Sequence, residues 1–239
     1  MIFNNRIAVF GHRGCIGREP ENTLKSFSFA VNSKADGIEL DVRLSRDGTP
    51  FVFHDMVVDR LTDEKGFFKY FSDDDIADLR VMGEPIPTLN DVLDHLESLN
   101  VNGQAGFRLN VEVKDESAIE SVANALKSRH KWLPLQFIIS SFDQHAIIRA
   151  NQYMPAYEKA ICLAGTPIDY AACMVRAKAH ALHLDHDGLS RHLVQDVLAR
   201  GGQVRVYTVN DPAHIQGLVD MGVSGIFTDV PDVMTHVNA

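Results

Sequence analysis

The sequence predicts an α/β protein of the (β/α)8, or TIM, barrel class, and three observations support this prediction. Short apolar runs alternate with amphipathic stretches along most of the 239 residues. Nine of the runs are candidate strands, and eight parallel ones remain if one is the return arm of a hairpin. No internal repeat, linker or low-complexity tract interrupts the chain. We therefore expect residues 1–239 to form a single barrel domain, with a small insertion at about 55–87.

The first unit of the chain is predicted to be a strand, a helix and a second strand. Residues 7–10 are an apolar run that ends in a Gly-His-Arg-Gly sequence, which is typical of a buried strand entering a loop. Apolar residues at helical spacing predict a helix over 24–31. Asn22 or Thr23 is suited to be its N-cap, and Glu21 suits the positive end of the helix dipole.

The second strand, 38–42, carries two acids on one face. Side chains alternate along a strand, so Glu39 and Asp41 point to the same side, opposite an aliphatic face. Two buried carboxylates at short range resist ionising together, and a divalent cation would relieve this repulsion. An Asp-Gly turn then predicts a hairpin with 50–54, which would bring His54 beside Asp41. An edge hairpin with a solvated polar face is the alternative interpretation.

The rest of the chain is an irregular insertion followed by a regular alternation. In the insertion, Ser72 is expected to cap a short helix and Asp75 to close a capping box, so this acidic run is assigned no metal-binding role. The further candidate strands are 107–113, 137–141, 160–163, 181–185, 204–209 and 225–228. The further predicted helices are 89–99, 117–129, 144–153, 168–177, 191–200 and 212–221.

Composition restricts the functional classes. A net charge of −9 argues against a partner that is a nucleic acid or an anionic membrane, for which a basic face is expected. The three cysteines form no Cys-x-x-Cys pair, which favours a reducing compartment over a disulfide framework. The N-terminal sequence lacks the apolar core of a signal peptide, and no apolar run has the length of a membrane span. We therefore expect a soluble cytoplasmic protein.

Polar side chains gather where the predicted strands end, which is the edge of a barrel that carries active sites. The strand 107–113 repeats the earlier pattern, because Glu112 and Lys114 share one face. Glu112 is therefore a candidate third oxygen ligand beside Glu39 and Asp41. Three carboxylates suit a hard cation, Mg²⁺ or Ca²⁺.

An ordered set of short motifs makes a family resemblance specific. The chain closely resembles the glycerophosphodiester phosphodiesterase family from Val9 to Pro231, with the motifs in that family's order. The motifs are His12-Arg13-Gly14, Pro20-Glu21-Asn22-Thr23, Glu39-Leu40-Asp41-Val42, Asp47-Gly48, His54-Asp55, Glu112-Val113-Lys114, Ser140-Ser141-Phe142, Thr208-Val209-Asn210 and Thr228-Asp229-Val230-Pro231.

The resemblance implies a barrel enzyme that hydrolyses small glycerophosphodiesters to sn-glycerol 3-phosphate and an alcohol. It also implies one divalent cation, held by residues matching Glu39, Asp41 and Glu112. The residues that match the family's catalytic acid–base pair are His12 and His54, and those that match its phosphate binders are Arg13 and Lys114. Tyr207 stands where the family usually has Trp, so an aromatic substrate-binding wall with an added hydroxyl is expected there.

Several assignments stay open at this point. Glu21 can ligate the metal, contact His12 or Arg13, or serve only as an acid at a helix start. His183 and Asp185 share a strand face and can line the pocket or form a satisfied core pair. The oligomeric state is open, a homodimer included. The competing functions are a lysophospholipase D-like or sphingolipid phosphodiesterase on the same barrel, and a non-catalytic phosphate-binding barrel.

Overall fold

A computed structural model describes residues 6–101, 106–129 and 136–237 of the chain. The first five residues of the N-terminal segment, which bear on the expectation of no signal peptide, lie outside these ranges. Among the residues described, none of the helices is both long enough and apolar enough to cross a bilayer.

A closed parallel barrel confirms the predicted fold class. The strands are β1 (Ala8–Gly11), β2 (Gly37–Leu44), β3 (Pro50–Val52), β4 (Arg80–Val81), β5 (Glu84–Pro85), β6 (Arg108–Val113), β7 (Gln136–Ser141), β8 (Glu158–Leu163), β9 (Ala181–Asp185), β10 (Gln203–Tyr207) and β11 (Gly225–Thr228). Eight of them pair in parallel in the order β1-β11-β10-β9-β8-β7-β6-β2, and β2 pairs with β1 to close the barrel. In this order β9 lies across the barrel from β2.

Helices cover the outside of the barrel. They are α1 (Leu24–Asn32), α2 (Asp73–Asp78), α3 (Leu89–Ser98), α4 (Ile119–Arg129), α5 (Gln144–Tyr153), α6 (Ala172–Arg176), α7 (Arg191–Ala199), α8 (Ile215–Met221) and α9 (Pro231–Val237). The predicted helix 168–177 is wrong in its first half, because Tyr170 has a φ of 46°, a left-handed conformation that helices exclude. The short helix α9, which begins at a proline, was not predicted.

The predicted hairpin forms and anchors the insertion. Strand β3 pairs antiparallel with β2, and the Phe53 backbone N–H donates to the Asp41 carbonyl over 2.9 Å. The insertion packs against this arm through its own apolar cluster, in which Phe68 stacks on Phe53 at 4.8 Å between ring centroids. Ser72 caps α2 with Asp75 in a capping box, as predicted.

Apolar and charged side chains both fill the barrel interior. Its apolar cluster consists of Phe10, Ile138, Ala160, Ala181 and Phe227, all buried. The guanidinium of the buried Arg205 lies over the Phe10 ring of this cluster, 5.7 Å from its centroid, and donates to Glu158 over 2.6 Å. The inward-facing residues nearer the carboxyl ends of β2, β6 and β9 are polar or charged. The fold therefore places the site at the barrel's carboxyl-terminal face.

Candidate active site

The loop after β1 is held in one conformation against helix α1. Gly14 has a φ of 85°, and a Cβ built there would lie 2.4 Å from the Ser26 Oγ. The same hydroxyl accepts from the Cys15 backbone N–H over 2.6 Å and donates to the Arg13 carbonyl over 3.0 Å. A glycine is therefore required at this turn. The loop presents His12 and Arg13 to a cavity of about 260 Å³ at the barrel mouth.

The three predicted acids converge in this cavity. Asp41 on β2 and Glu112 on β6 are register partners, and Glu39 lies two residues before Asp41 on the same inward face. One carboxylate oxygen from each of the three lies within 4.8 Å of the others. Glu39 and Asp41 are buried, and Glu112 is nearly so. An all-oxygen donor set of this kind fits a hard divalent cation.

The electrostatics of the cluster show that it carries excess negative charge. Burial, together with repulsion from Asp41 and Glu112, raises the pKa of Glu39 well above its usual value. Burial also raises the pKa of Glu112. Burial alone would raise the pKa of Asp41, but attraction from Lys114 and Arg13 outweighs it and lowers that pKa. A bound cation would relieve the repulsion that Glu39 experiences.

The two predicted phosphate binders occupy different places. The Lys114 Nζ lies 2.6 Å from the Asp41 Oδ1 and also donates to Glu112, and Lys114 does not line the cavity. Arg13 does line it; its backbone N–H donates to Glu39 over 2.8 Å, and its Nε lies 3.3 Å from the Asp41 Oδ2. Among the described residues, only Arg13 therefore presents a cationic side chain directly to the cavity.

Glu21 belongs with the arginines and not with the three acids. It accepts from the Arg13 Nη1 over 2.7 Å and from the Arg60 Nη1 over 2.8 Å. Burial would raise the pKa of Glu21, but the bonds from Arg60 and Arg13 lower it. Of the roles left open for Glu21, the structure supports the contact with Arg13. Sequence reasoning missed Arg60, which lies in the insertion and carries no pattern that points to the site.

Asn22 was interpreted only as a possible helix cap, but it contacts the acid cluster. Its Nδ2 donates to the Asp41 Oδ2 over 2.8 Å, and its Oδ1 accepts from the Asp41 backbone N–H over 3.3 Å. The cap of α1 is Thr23, which accepts from the Ser26 backbone N–H over 3.2 Å. Asn22 has a φ of 58°, which asparagine tolerates better than most residues. Its position in the Pro-Glu-Asn-Thr motif is the signal that could have identified it.

Both predicted catalytic histidines line the cavity, and each is held by a carboxylate. The His12 Nδ1 lies 2.7 Å from the Asp229 Oδ1, and the His54 Nδ1 lies 2.7 Å from the Asp55 Oδ1. A carboxylate at Nδ1 fixes the tautomer in which that nitrogen carries the proton. The Nε2 atom of each ring is thereby left to exchange protons with a bound molecule.

A second layer of side chains holds these carboxylates, and sequence reasoning assigned it no role. Asp229 accepts from the Asn210 Nδ2 over 2.7 Å, and Asp55 accepts from the Arg60 Nε over 2.6 Å. Burial would raise the pKa of Asp229, but hydrogen bonds from His12 and Asn210 lower it. Asp229 thus stays ionised beside its imidazole.

The opposite wall of the cavity comes mainly from β9 and β10. Tyr207 donates through its hydroxyl to the Leu163 carbonyl over 2.9 Å, and Phe142 lies edge-on to it at 6.0 Å. His183 and Asp185 both line the cavity. His183 also accepts at Nε2 from the buried Arg205 over 3.2 Å. Burial and the nearby Arg205 lower the pKa of His183 well below its usual value, so this imidazole is neutral.

The carboxyl-terminal face of this (β/α)8 barrel brings together three acids, an arginine and two imidazoles that each contact a carboxylate. These are the groups expected in an enzyme that cleaves phosphate esters. The sequence model of the glycerophosphoryl diester phosphodiesterase family matches residues 12–233 of this chain. The chain belongs to this family, and it is an enzyme of that class, a phosphoric diester hydrolase.

Individual relatives agree with this assignment over nearly the whole chain. A glycerophosphodiester phosphodiesterase of Caldanaerobacter subterraneus is 29% identical over 96% of this chain and 96% of its own. One from Bacillus altitudinis is 30% identical over 94% and 95%. A solved phosphodiesterase of Oleispira antarctica, in complex with the product sn-glycerol-3-phosphate, has a TM-score of 0.87 and 27% identity and covers 97% of this chain and 96% of its own.

Proposed function

We propose that the enzyme hydrolyses small glycerophosphodiesters, such as glycerophosphocholine and glycerophosphoethanolamine, to sn-glycerol 3-phosphate and an alcohol. We further propose that it needs one divalent cation, Mg²⁺ or Ca²⁺. The observation that carries the proposal is the convergence of the three acids, whose oxygens lie within 4.8 Å of one another, in a cavity lined by both histidines. The product complex of the Oleispira antarctica relative supports the choice of substrate.

Binding must first overcome the negative charge of the phosphodiester. Glu39, Asp41 and Glu112 would hold the cation, which when bound neutralises phosphate oxygens and makes a coordinated hydroxyl more acidic. Arg13 offers a planar pair of donors to the same oxygens, and Glu21 and the Glu39 carboxylate fix its position. Lys114 contributes a positive charge from behind Asp41 and Glu112.

Proton transfer then falls to the two imidazoles. In the first step one Nε2 takes the proton of the glycerol 2-hydroxyl as its oxygen forms a bond to phosphorus. The other ring gives a proton to the alcohol oxygen as the bond from that oxygen to phosphorus breaks. A cyclic phosphate results. In the second step a water oxygen forms a bond to phosphorus while the bond from phosphorus to the glycerol 2-oxygen breaks. The two rings exchange roles: one takes a proton from the water and the other returns a proton to the 2-oxygen, so that His12 and His54 both finish in their starting protonation states.

A chelator experiment tests the proposal. Treatment of the purified enzyme with a chelator should abolish release of glycerol 3-phosphate from glycerophosphocholine, and added Mg²⁺ or Ca²⁺ should restore it. Manganese and zinc salts serve as comparisons. Full activity in the chelated protein, with metal analysis showing no bound ion, would contradict the proposed cation dependence.

A second candidate substrate class is favoured by one observation. Met56, Phe67 and Tyr70, in the insertion that follows His54, are exposed apolar or aromatic side chains. An exposed apolar surface of this kind suits the acyl chain of a lysophospholipid. Turnover of lysophosphatidylcholine should be compared with that of glycerophosphocholine. If a Phe67→Ser, Tyr70→Ser double variant loses turnover of lysophosphatidylcholine but keeps turnover of glycerophosphocholine, this second substrate class is favoured.

We also propose that the enzyme works in the cytoplasm. The three cysteines are buried and unpaired. Burial raises the pKa of Cys15 to about 12, so this thiol is poorly nucleophilic. Unpaired thiols fit a reducing compartment. Fractionation of cells with an antibody to the protein tests the location.

A further inference from the structure

The two walls of the active-site cavity differ in charge. The wall that carries the three acids and Arg13 comes from β1, β2 and β6, and β9 lies across the barrel from β2. On the β9 side, the described lining residues include the aromatic rings of Phe142 and Tyr207 and the neutral imidazole of His183. Asp185 is the charged side chain among them. We call Phe142, Tyr207 and Asp185 the aromatic–acid wall.

The three members of this wall lie close together. Tyr207 and Asp185 are register partners on neighbouring strands, so their side chains share the inward face. The ring of Phe142 is nearly perpendicular to that of Tyr207, at 77°, with centroids 6.0 Å apart. Phe142 is 49% exposed, which places it at the mouth of the cavity. The hydroxyl of Tyr207 is used by the Leu163 carbonyl, which fixes the ring.

Asp185 is partly free to bind a ligand. Its Oδ1 accepts from the Asp187 backbone N–H over 2.9 Å, and the His186 Nδ1 lies 3.6 Å from the same oxygen. Among the residues that the structure describes, none donates to its Oδ2. The Asp185 side chain is 31% exposed. A carboxylate in this state beside two aromatic rings has the chemistry that recognises alkylammonium ions.

We propose that the aromatic–acid wall binds the cationic part of the departing alcohol, so that the enzyme prefers glycerophosphodiesters whose alcohol carries an ammonium group. This inference rests on the proposed function. A phosphate is held at the opposite wall, by Arg13 and the cation site, and is repelled by Asp185. A zwitterionic diester therefore lies across the cavity with each charge facing its opposite. Neutral alcohols lack this charge attraction to Asp185.

The test compares substrates that differ only in the alcohol. We expect Asp185→Asn to lower kcat/KM for glycerophosphocholine and glycerophosphoethanolamine about tenfold, while glycerophosphoglycerol and glycerophosphoinositol change less than about twofold. Asp187→Asn is the matched control, because it removes a neighbouring charge that lies outside the cavity lining. It should leave kcat/KM unchanged for all four diesters. Asparagine also caps the turn that Asp185 begins, so the variant should fold.

A direct binding measurement complements the kinetics. Choline should inhibit the wild-type enzyme competitively, and its inhibition constant should be about tenfold higher for Asp185→Asn. Phe142→Ala should weaken choline inhibition as well, whereas Tyr207→Phe, which keeps the ring, should preserve it.

The outcomes separate this inference from the proposed function. An equal loss on all four diesters in Asp185→Asn would place the glycerol end at this wall and overturn the inference. Unchanged kinetics and unchanged choline inhibition would overturn it too, although the hydrolysis of diesters would stand. If the wild-type enzyme, supplied with metal, releases glycerol 3-phosphate from none of the four diesters, the proposed function itself fails.

Discussion

The two imidazoles of the site reach the same local geometry by different routes. His54 and its carboxylate Asp55 are adjacent in the chain, whereas His12 and Asp229 are 217 positions apart, yet both Nδ1 atoms lie 2.7 Å from the acid. The shared feature is therefore the fixed tautomer with Nε2 left free. The supporting acid can therefore be the next residue in the chain or a residue after a distant strand, provided that it contacts Nδ1.

The supports behind the two acids differ in charge. Asp229 accepts from the neutral amide of Asn210, whereas Asp55 forms an ion pair with Arg60. Arg60 also pairs with Glu21, which contacts Arg13. His54 is thus linked through charged groups to the arginine that faces the cavity. Through Asp229, His12 is linked to the neutral side chain of Asn210 in the loop that follows β10. Mutations behind the two rings should have different kinetic signatures.

The largest expected effect tests whether both rings are essential. His12→Ala and His54→Ala should each lower kcat by about 10²- to 10⁴-fold, because each removes a group to which we assign proton transfer. The double variant should be little worse than the poorer single one, since the rings act as a unit. Release of glycerol 3-phosphate is the assay, and thermal melting is the control for folding. A His12→Ala variant that keeps its activity would show that His54 alone is sufficient and that the two rings are not equivalent.

The next effect separates the two supporting acids. Asp229→Asn and Asp55→Asn should each lower kcat about 10- to 100-fold, because an amide no longer fixes the tautomer. Asp55→Asn should also raise KM, since Arg60 loses a partner and the Glu21–Arg13 contact shifts. Steady-state kinetics on one diester measures both constants. A rise in KM in Asp229→Asn, with none in Asp55→Asn, would reverse our interpretation.

The smallest effect concerns the residues behind those acids. Asn210→Ala should lower kcat by a few-fold with KM unchanged, because Asp229 loses the Asn210 side chain as a donor to its carboxylate and as an acceptor for its backbone N–H but keeps His12. Arg60→Gln should raise KM by a few-fold with kcat less affected, because its effect passes through Glu21 to Arg13. Arg46→Gln is a suitable control, since it removes an exposed charge that lies 3.7 Å from Asp47 and outside the cavity lining. Identical changes in both test variants would remove the distinction between the two supports.

Local patterns predicted one half of this comparison. The turn at Asp47–Gly48 and the alternation of side chains were enough to place His54 beside Asp41, because a hairpin register depends on neighbouring residues. Strand alternation likewise predicted that Glu39 and Asp41 share a face. The barrel class followed from the rhythm of the elements, since eight parallel strands with helices between them have few alternatives.

The other half depends on contacts that only barrel closure creates. Asp229 reaches His12 because β11 pairs with β1, and no local pattern encodes that pairing. Arg60 lies in an irregular insertion, so its bonds to Glu21 and Asp55 could not be read from periodicity. Asn22 was interpreted as a possible helix cap because asparagine is common at that position, and the sequence does not show that its side chain donates to Asp41 instead.

Calorimetric titration with Mg²⁺ or Ca²⁺ measures whether Glu39, Asp41 and Glu112 bind one cation together. We expect the wild-type chain to bind one ion and Glu39→Gln to bind it far more weakly, whereas His12→Ala, with its three acids intact, should still bind it. Wild-type protein that takes up no ion, or a Glu39→Gln variant that binds as tightly as wild type, would show that the three acids do not form a cation site.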